Sequence, residues 1–258
     1  MKILVPIKLS LDTSQIKFDE STGEPIYEAI PKKISDADKC AIEEALEIKD
    51  KYQGAVTVVT IGSTKDHYRM LRDAYAMGVD EAYLIKYDSP EYIPANQVAN
   101  IIKSFFEKHG PYDVILMGQW SNDTHSSSLQ GMLSSLLNYP LMPNVDKLDF
   151  DGTFFIGSSN MEDGTYTFKA KPPLIISVST EANLPRIPTL KDILRAKKMP
   201  INELNISDYI ESIGKLDIVK VSRYVVERLR NIIKIESEDD VAKAIDMIVN
   251  VLKGEGLI

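Results

Sequence analysis

The sequence predicts an α/β protein with a doubly wound parallel sheet, and three observations carry that prediction. Short, continuous apolar runs recur at residues 3–7, 55–61, 82–85 and 114–117, the pattern of strands covered on both faces. Amphipathic helical stretches separate these runs, so strand and helix alternate through four rounds. After Tyr139-Pro140 the texture changes to short extended pieces joined by Asp151-Gly152 and Asp163-Gly164, which predicts hairpin additions to the sheet.

Ile3, Leu4, Val5 and Ile7 form the first strand, and Pro6, lacking a backbone donor, suits the point where it leaves the sheet. Residues 15–30, with Ser21-Thr22-Gly23-Glu24-Pro25 as turn chemistry, read as a hairpin excursion. Ser35-Asp36-Ala37-Asp38 then opens a helix with a serine N-cap three residues before a carboxylate, close to a capping box. Its apolar face is Ala41, Ile42, Ala45, Leu46 and Ile48, with Cys40 beside it as a small buried thiol. The strand at 55–61 leads through Gly62-Ser63-Thr64 into a helix that Gly78 terminates. The strand at 82–85 is followed by a helix opened by Pro94 and ended by Gly110-Pro111. The strand at 114–117 breaks at Gly118 and crosses a polar loop into a helix expected from about Ser127. Strands are expected at 147–150, 153–156 and 165–169, and residues 174–178 read as a fifth buried strand. Pro185, Pro188 and Pro200 frame an exposed, semi-rigid segment with a short helix at about 189–197. Residues 208–224 read as irregular. A last helix from Ser237 carries Val241, Ala244, Ile245, Ile248, Val249 and Leu252 on one face.

The chain of 258 residues is 44% hydrophobic and 26% charged, with net charge −8, values that fit a globular protein with a sizeable core. No basic stripe with interleaved aromatics is present, so nucleic acid is not an expected partner. The single cysteine excludes an internal disulfide or a cysteine-rich metal site, and His67, His109 and His125 fit no ligand spacing. Met1 leads straight into the first strand with no signal peptide, and no apolar run is long enough to span a bilayer. A cytoplasmic protein without membrane insertion is therefore expected.

In doubly wound sheets ligands bind beyond the carboxyl ends of the strands, where strand order reverses. Three strand ends qualify: Pro6, Ile7 and Lys8; Ile61 and Gly62 with the following Ser63-Thr64; and the loop from Gly118 to Ser128. The last feeds Ser126, Ser127 and Ser128 into a helix start, where hydroxyls, free N–H groups and partial positive charge favour a phosphate. The same serines also fit plain helix capping. Trp120 reads either as packing or as a stacking surface for an adenine or flavin ring. Asp123 reads as a partner for a ribose or base, or as a stabiliser of its loop. Lys8 reads as a phosphate partner or a surface charge. No Walker A or GxGxxG sequence occurs. No nucleophile elbow, metal cluster or paired carboxylates point to catalysis by this chain.

Four stretches resemble the beta subunit of electron transfer flavoproteins, the FixA-like family. They are Met1-Lys2-Ile3-Leu4-Val5-Pro6-Ile7-Lys8, Ala41-Ile42-Glu43-Glu44-Ala45-Leu46, residues 71–80 ending in Ala76-Met77-Gly78-Val79-Asp80, and residues 183–201. Within the last, Pro185-Arg186, Thr189-Leu190, Ile193 and Ala196-Lys197-Lys198 match the family's recognition loop. The resemblance implies a Rossmann-like, HUP-type adenine-nucleotide-binding topology over residues 1–200, with the recognition loop at 180–200. It implies that residues 201–258 are a C-terminal arm packing on a partner subunit. It implies a heterodimer with an alpha subunit that holds most of the redox FAD, while this chain binds AMP or, in electron-bifurcating members, a second FAD. Dehydrogenases and a quinone- or ferredoxin-linked acceptor are the implied electron partners. Ser35, Asp38, Ser121 and Asp123 fall in the implied nucleotide site. Pro185, Arg186, Leu190, Ile193, Lys197 and Lys198 fall in the implied recognition surface, with Leu190 as its anchor. Two stretches depart from the family. Its Asn-Pro-Phe-Asp is Ser35-Asp36-Ala37-Asp38 here, and in its phosphate loop Gly118 and Asp123 hold while most of the rest does not. The altered loop leaves a second reading, a stand-alone nucleotide-binding or sensor protein of the same fold without a redox role.

Overall fold

The structure is a computed structural model describing all residues except 28, 29, 89–91, 213, 215–218, 220–231, 233 and 258. In chain order it runs β1 (Lys2–Pro6), β2 (Leu9–Leu11), β3 (Lys17–Phe18), β4 (Pro25–Ile26), β5 (Lys32–Ile34), α1 (Asp36–Tyr52) and β6 (Ala55–Ile61). Next come α2 (Lys65–Met77), β7 (Glu81–Lys86), α3 (Ala95–His109), β8 (Val114–Gly118), α4 (Leu129–Leu137) and β9 (Leu141–Val145). Then follow β10 (Lys147–Phe150), β11 (Phe155–Met161), β12 (Gly164–Ala170), β13 (Leu174–Val178), α5 (Leu190–Ala196), β14 (Asn202–Asn205) and α6 (Glu238–Gly254).

Seven of these strands form one sheet in the order β14-β7-β6-β1-β8-β13-β9, and each neighbouring pair is parallel. The chain builds outward from β1 through β6 to β7, then crosses back to lay β8 on the other side of β1. Strand order therefore reverses between β1 and β8. Along the central strands successive side chains serve opposite faces, as the pleat requires. Ile3 and Val5 join one core with the apolar faces of α1 and α2, whereas Leu4 joins a second core with Ile101, Phe105 and Leu133 of α3 and α4. The sheet is thus covered on both faces, and the continuous apolar runs in the sequence follow from that.

The edge strands β9 and β14 escape the sequence reading, because Leu141–Val145 contains a proline and Asn202–Asn205 is mostly polar. β14 pairs with β7, so the sheet takes in residues beyond position 200. The chain divides into two compact units, Met1–Val221 and Ser222–Ile258. β10, β11 and β12 form the expected antiparallel meander, though β11 begins at Phe155, after the Asp151-Gly152 turn and Thr153. The excursion at 15–30 contains the small β3–β4 hairpin, and β2 pairs with β5 at its base.

The helix boundaries follow local chemistry. Gly78 closes α2 with φ 127, a conformation favouring glycine. Thr189 and Asp192 form a capping box on α5. At α6, the Ser237 N–H and Oγ both donate to Asp240. α6 buries none of its residues. Residues 208–224, expected to be irregular, lie largely outside the described residues. Among those described, no helix is long and apolar enough to cross a membrane.

Candidate functional site

Because β1, β6 and β8 are parallel, Pro6, Ile61 and Gly118 end at the same edge of the sheet. A cleft of about 520 Å³ opens there, within the range of small-molecule sites. Pro6, Ile7, Lys8, Asp38, Ile61, Gly62, Gly118, Trp120, Ser121, Ser126, Ser127 and Ser128 all line it. Ser35 and Asp123 stand outside the lining and act on the loop that forms one wall.

At the floor, buried Asp38 joins the two strands flanking the reversal. Its Oδ2 accepts the Lys8 N–H at 2.8 Å, and its Oδ1 accepts the Gly118 N–H at 3.2 Å. Burial pushes this carboxyl up to about 7 against the opposing pull of the two N–H donors and Lys8. The approach is so close that a Cβ on Gly118 would lie 2.5 Å from Asp38 Oδ1. Glycine is required there for space.

The capping box expected from Ser35 and Asp38 does not form. Ser35 is the N-cap of α1 but makes no side-chain cap bond. Its hydroxyl instead donates to Asn122 Oδ1 at 2.9 Å and to the Trp120 carbonyl at 3.2 Å. Asn122 Oδ1 also accepts the Asp36 N–H at 2.8 Å, while its Nδ2 donates to Asp36 Oδ2 at 2.7 Å. A side chain from the β8–α4 loop therefore caps α1 in place of a local residue. Asp38, committed to Lys8 and Gly118, is not available for a local box.

Lys8 Nζ donates to Asp123 Oδ1 at 2.7 Å and to Ser121 Oγ at 3.3 Å. The Asp123 N–H donates to Ser10 Oγ at 3.2 Å, so Asp123 braces its own loop. Trp120 stacks on His125 with ring centroids 5.1 Å apart. His125 and Ser127 have φ 47 and 45, a left-handed backbone that non-glycine residues rarely adopt. The helix expected from about Ser127 starts at Leu129, with Ser128 as an N-cap that makes no side-chain cap bond. Ser128 Oγ instead donates to Ser126 Oγ at 3.2 Å. Ser126 and Ser127 are exposed beside this uncapped helix start, whose first N–H groups favour an anion. Gln130 secures α4 to the strand end by donating to the Gln119 carbonyl at 3.2 Å.

The opposite wall includes residues that sequence reasoning missed. His67 packs its ring against Gly62, where a Cβ would fall 2.1 Å from His67 Nε2 and where φ is 152. Its Nδ1 lies 2.8 Å from Thr64 Oγ1, and burial, aided by Lys32, lowers its pKa and favours the neutral ring. Tyr92, Ile93 and Val98 extend this wall as an apolar surface. The Thr64–His67 spacing of three at a helix start was a usable signal. Asn122 gave none, since its partners are far away in sequence.

The predicted recognition residues occupy a different face. Leu184, Ile187 and Leu190 are 94%, 91% and 73% exposed, and Ile193 and Leu194 are also exposed. Lys191, Arg195, Lys197 and Lys198 stand exposed among or just beyond them. Pro185 is half-buried. The Arg186 guanidinium is turned toward α1, where it meets Glu43 at 2.9 Å and Asp50 at 3.1 Å. Leu184 and Ile187, more exposed than Leu190, were not singled out from sequence.

The sequence profile of the electron transfer flavoprotein domain matches residues 26–209. Among curated relatives, the electron transfer flavoprotein subunit beta of Thermoanaerobacterium thermosaccharolyticum is 33% identical over 76% of this chain and 75% of its own length. The corresponding subunit of Bacillus subtilis is 31% identical over 81% of this chain and 80% of its own. Subunit CarD of the caffeyl-CoA reductase-Etf complex of Acetobacterium woodii is 28% identical over 81% and 79%.

Proposed function

The chain belongs to the electron transfer flavoprotein family, and from that premise we propose that it is the beta subunit of a heterodimer, with AMP in its cleft. The observation that carries the nucleotide assignment is the cleft at the strand-order reversal, rimmed by Ser126, Ser127, Ser128 and the uncapped start of α4. These groups fit one phosphate. Other donors at the floor are already engaged: the Lys8 ammonium with Asp123, and the backbone N–H groups of Lys8 and Gly118 with Asp38. With one anion-holding rim among the described residues, the mononucleotide is favoured over a second FAD. The apolar wall of Tyr92, Ile93 and Val98 suits a purine, and the Trp120–His125 stack offers a further ring face.

AMP has no redox chemistry, and the electrons travel on the FAD shared with the alpha subunit. This chain's residues bind, orient and dock. The exposed Leu184, Ile187 and Leu190, flanked by the Lys191, Arg195, Lys197 and Lys198 cations, are the docking surface for an electron-donating dehydrogenase. On a chain of net charge −8, a local basic rim selects a partner whose apolar recess is bordered by carboxylates.

The test is co-expression with an alpha subunit from the same genome, followed by extraction and counting of bound nucleotides. One AMP and one FAD per heterodimer is the expected result. Two FAD per heterodimer would overturn the AMP assignment. Recovery of the chain alone, with AMP bound and no alpha subunit, would instead favour a stand-alone nucleotide-binding protein.

A further inference from the structure

Residues 179–189 connect β13 to α5 without regular structure of their own, yet they hold out the most exposed apolar side chains of the docking face. Their attachment to α1 is unusually polar. Buried Glu43 accepts the backbone N–H of Arg186 at 2.9 Å, and its two oxygens accept Arg186 Nε at 3.0 and 2.9 Å. The same guanidinium reaches Asp50, two turns further along α1, at 3.1 and 3.2 Å. Buried Glu44 accepts from Asn183 Nδ2 at 2.9 Å, and that amide also donates to the Cys40 carbonyl at 3.0 Å. Leu184 lies between the two attachment points, and Ile187 lies directly after the second.

Stability alone does not explain this arrangement. Buried carboxylates are frequently no better for stability than apolar residues of similar size. Glu44 has no cation against it among the described residues, and burial together with Glu47 and Glu43 pushes it up to about 7. Directional bonds do what apolar packing does not. Glu43 fixes both the main chain and the side chain of Arg186, so the path and the register of the segment are set together. A docking loop held in its bound shape loses less entropy when a partner arrives.

We propose that Glu43 and Glu44 are positioning residues for electron-transfer docking, clamping residues 183–186 to α1 so that Leu184, Ile187 and Leu190 are presented in one preset arrangement. This rests on the reading of that face as the docking surface, and the experiment separates the two.

The experiment uses the purified heterodimer and, as electron donor, a purified dehydrogenase that reduces the wild-type complex. Wild type, Glu43→Gln, Glu43→Asp and Leu190→Ala are compared for KM toward the complex, kcat, AMP content and amide hydrogen exchange. Glu43→Gln is expected to raise KM about fivefold with kcat within about twofold, as loss of preorganisation predicts. Exchange across residues 184–187 should rise about tenfold, with AMP content unchanged. Glu43→Asp should recover part of the KM loss. Should Glu43→Gln fail to fold, Asn183→Ala releases the Glu44 side of the clamp and is expected to change the same quantities in the same direction. Faster exchange with an unchanged KM would overturn the positioning role, and so would an unchanged exchange rate. If Leu190→Ala leaves KM unaltered, the docking reading itself fails. If Leu190→Ala raises KM and Glu43→Gln does not, only the clamp fails.

Discussion

At the scale of single residues the cleft turns on Asp38. Its carboxyl is raised from 3.8 to about 7, and burial is the cause. Between those values the folded protein keeps a proton that the unfolded chain has released. Stability therefore falls as pH rises through this window and is fullest below it. Glu44, raised from 4.5 to about 7, acts in the same direction. Each group contributes a slope of up to about 1.4 kcal/mol per pH unit. Urea unfolding at several pH values from 5 to 8 should show declining stability, and Asp38→Asn should remove about half of the decline attributed to this pair. A slope identical in wild type and variant would contradict the assignment. Gly118→Ala belongs to the same scale. Its new methyl would meet Asp38 Oδ1 at 2.5 Å, and the displacement should destabilise the fold by about 1–3 kcal/mol. AMP affinity measured by calorimetry should fall with it, since the floor of the cleft must shift. Gly118 was expected near a ligand from its place at a strand end and Asp38 from the family resemblance, and both line the cleft. Their mutual contact was not, because nothing local links positions eighty residues apart.

At the scale of elements, the sequence exposed what repeats locally and hid what is supplied from a distance. The central strands and α1 to α3 were readable because burial on both faces leaves an apolar run, and burial on one leaves a helical stripe. β14 was hidden because an edge strand needs little apolar content. Its hold on the sheet comes from pairing with β7 and from the Tyr68 hydroxyl, which donates to Glu203 at 2.8 Å. The start of α1 falls where expected, with Ser35 as N-cap, but the bonds that cap it differ for a related reason. Ser35 and Asp38 have the spacing of a local cap, yet both are drawn into tertiary bonds, and Asn122 takes over the capping. Asn122→Ala should therefore behave as the loss of a helix cap, lowering stability by about 1–2 kcal/mol in thermal or urea unfolding. It should also loosen the β8–α4 loop, seen as faster amide exchange across residues 120–127 and weaker AMP binding. If stability falls and exchange in the loop does not rise, the cap and the loop are not coupled through this side chain.

At the scale of the whole molecule, the two compact units divide the expected work unequally. Residues 1–221 contain the entire sheet, both cores, the cleft and the basic, apolar face proposed for docking. The second unit contains α6, an amphipathic helix whose Val241, Ile245, Ile248 and Val251 are exposed at spacings of three and four. An apolar stripe of that period ordinarily rests on another surface. The arm was expected from residue 201, whereas the second compact unit begins at Ser222; we propose that its helix rests on the alpha subunit. A chain ending at residue 221 is thus expected to unfold cooperatively and to bind AMP within about twofold of the full-length affinity, since its cores are complete. The same truncation should weaken association with the alpha subunit by more than about tenfold, the order expected from losing a buried apolar helix face. Calorimetric titration with AMP and sedimentation of mixed subunits read the two outcomes independently. Undiminished association would show that the arm does not carry the heterodimer contact, and loss of AMP binding would show that the cleft depends on residues beyond 221.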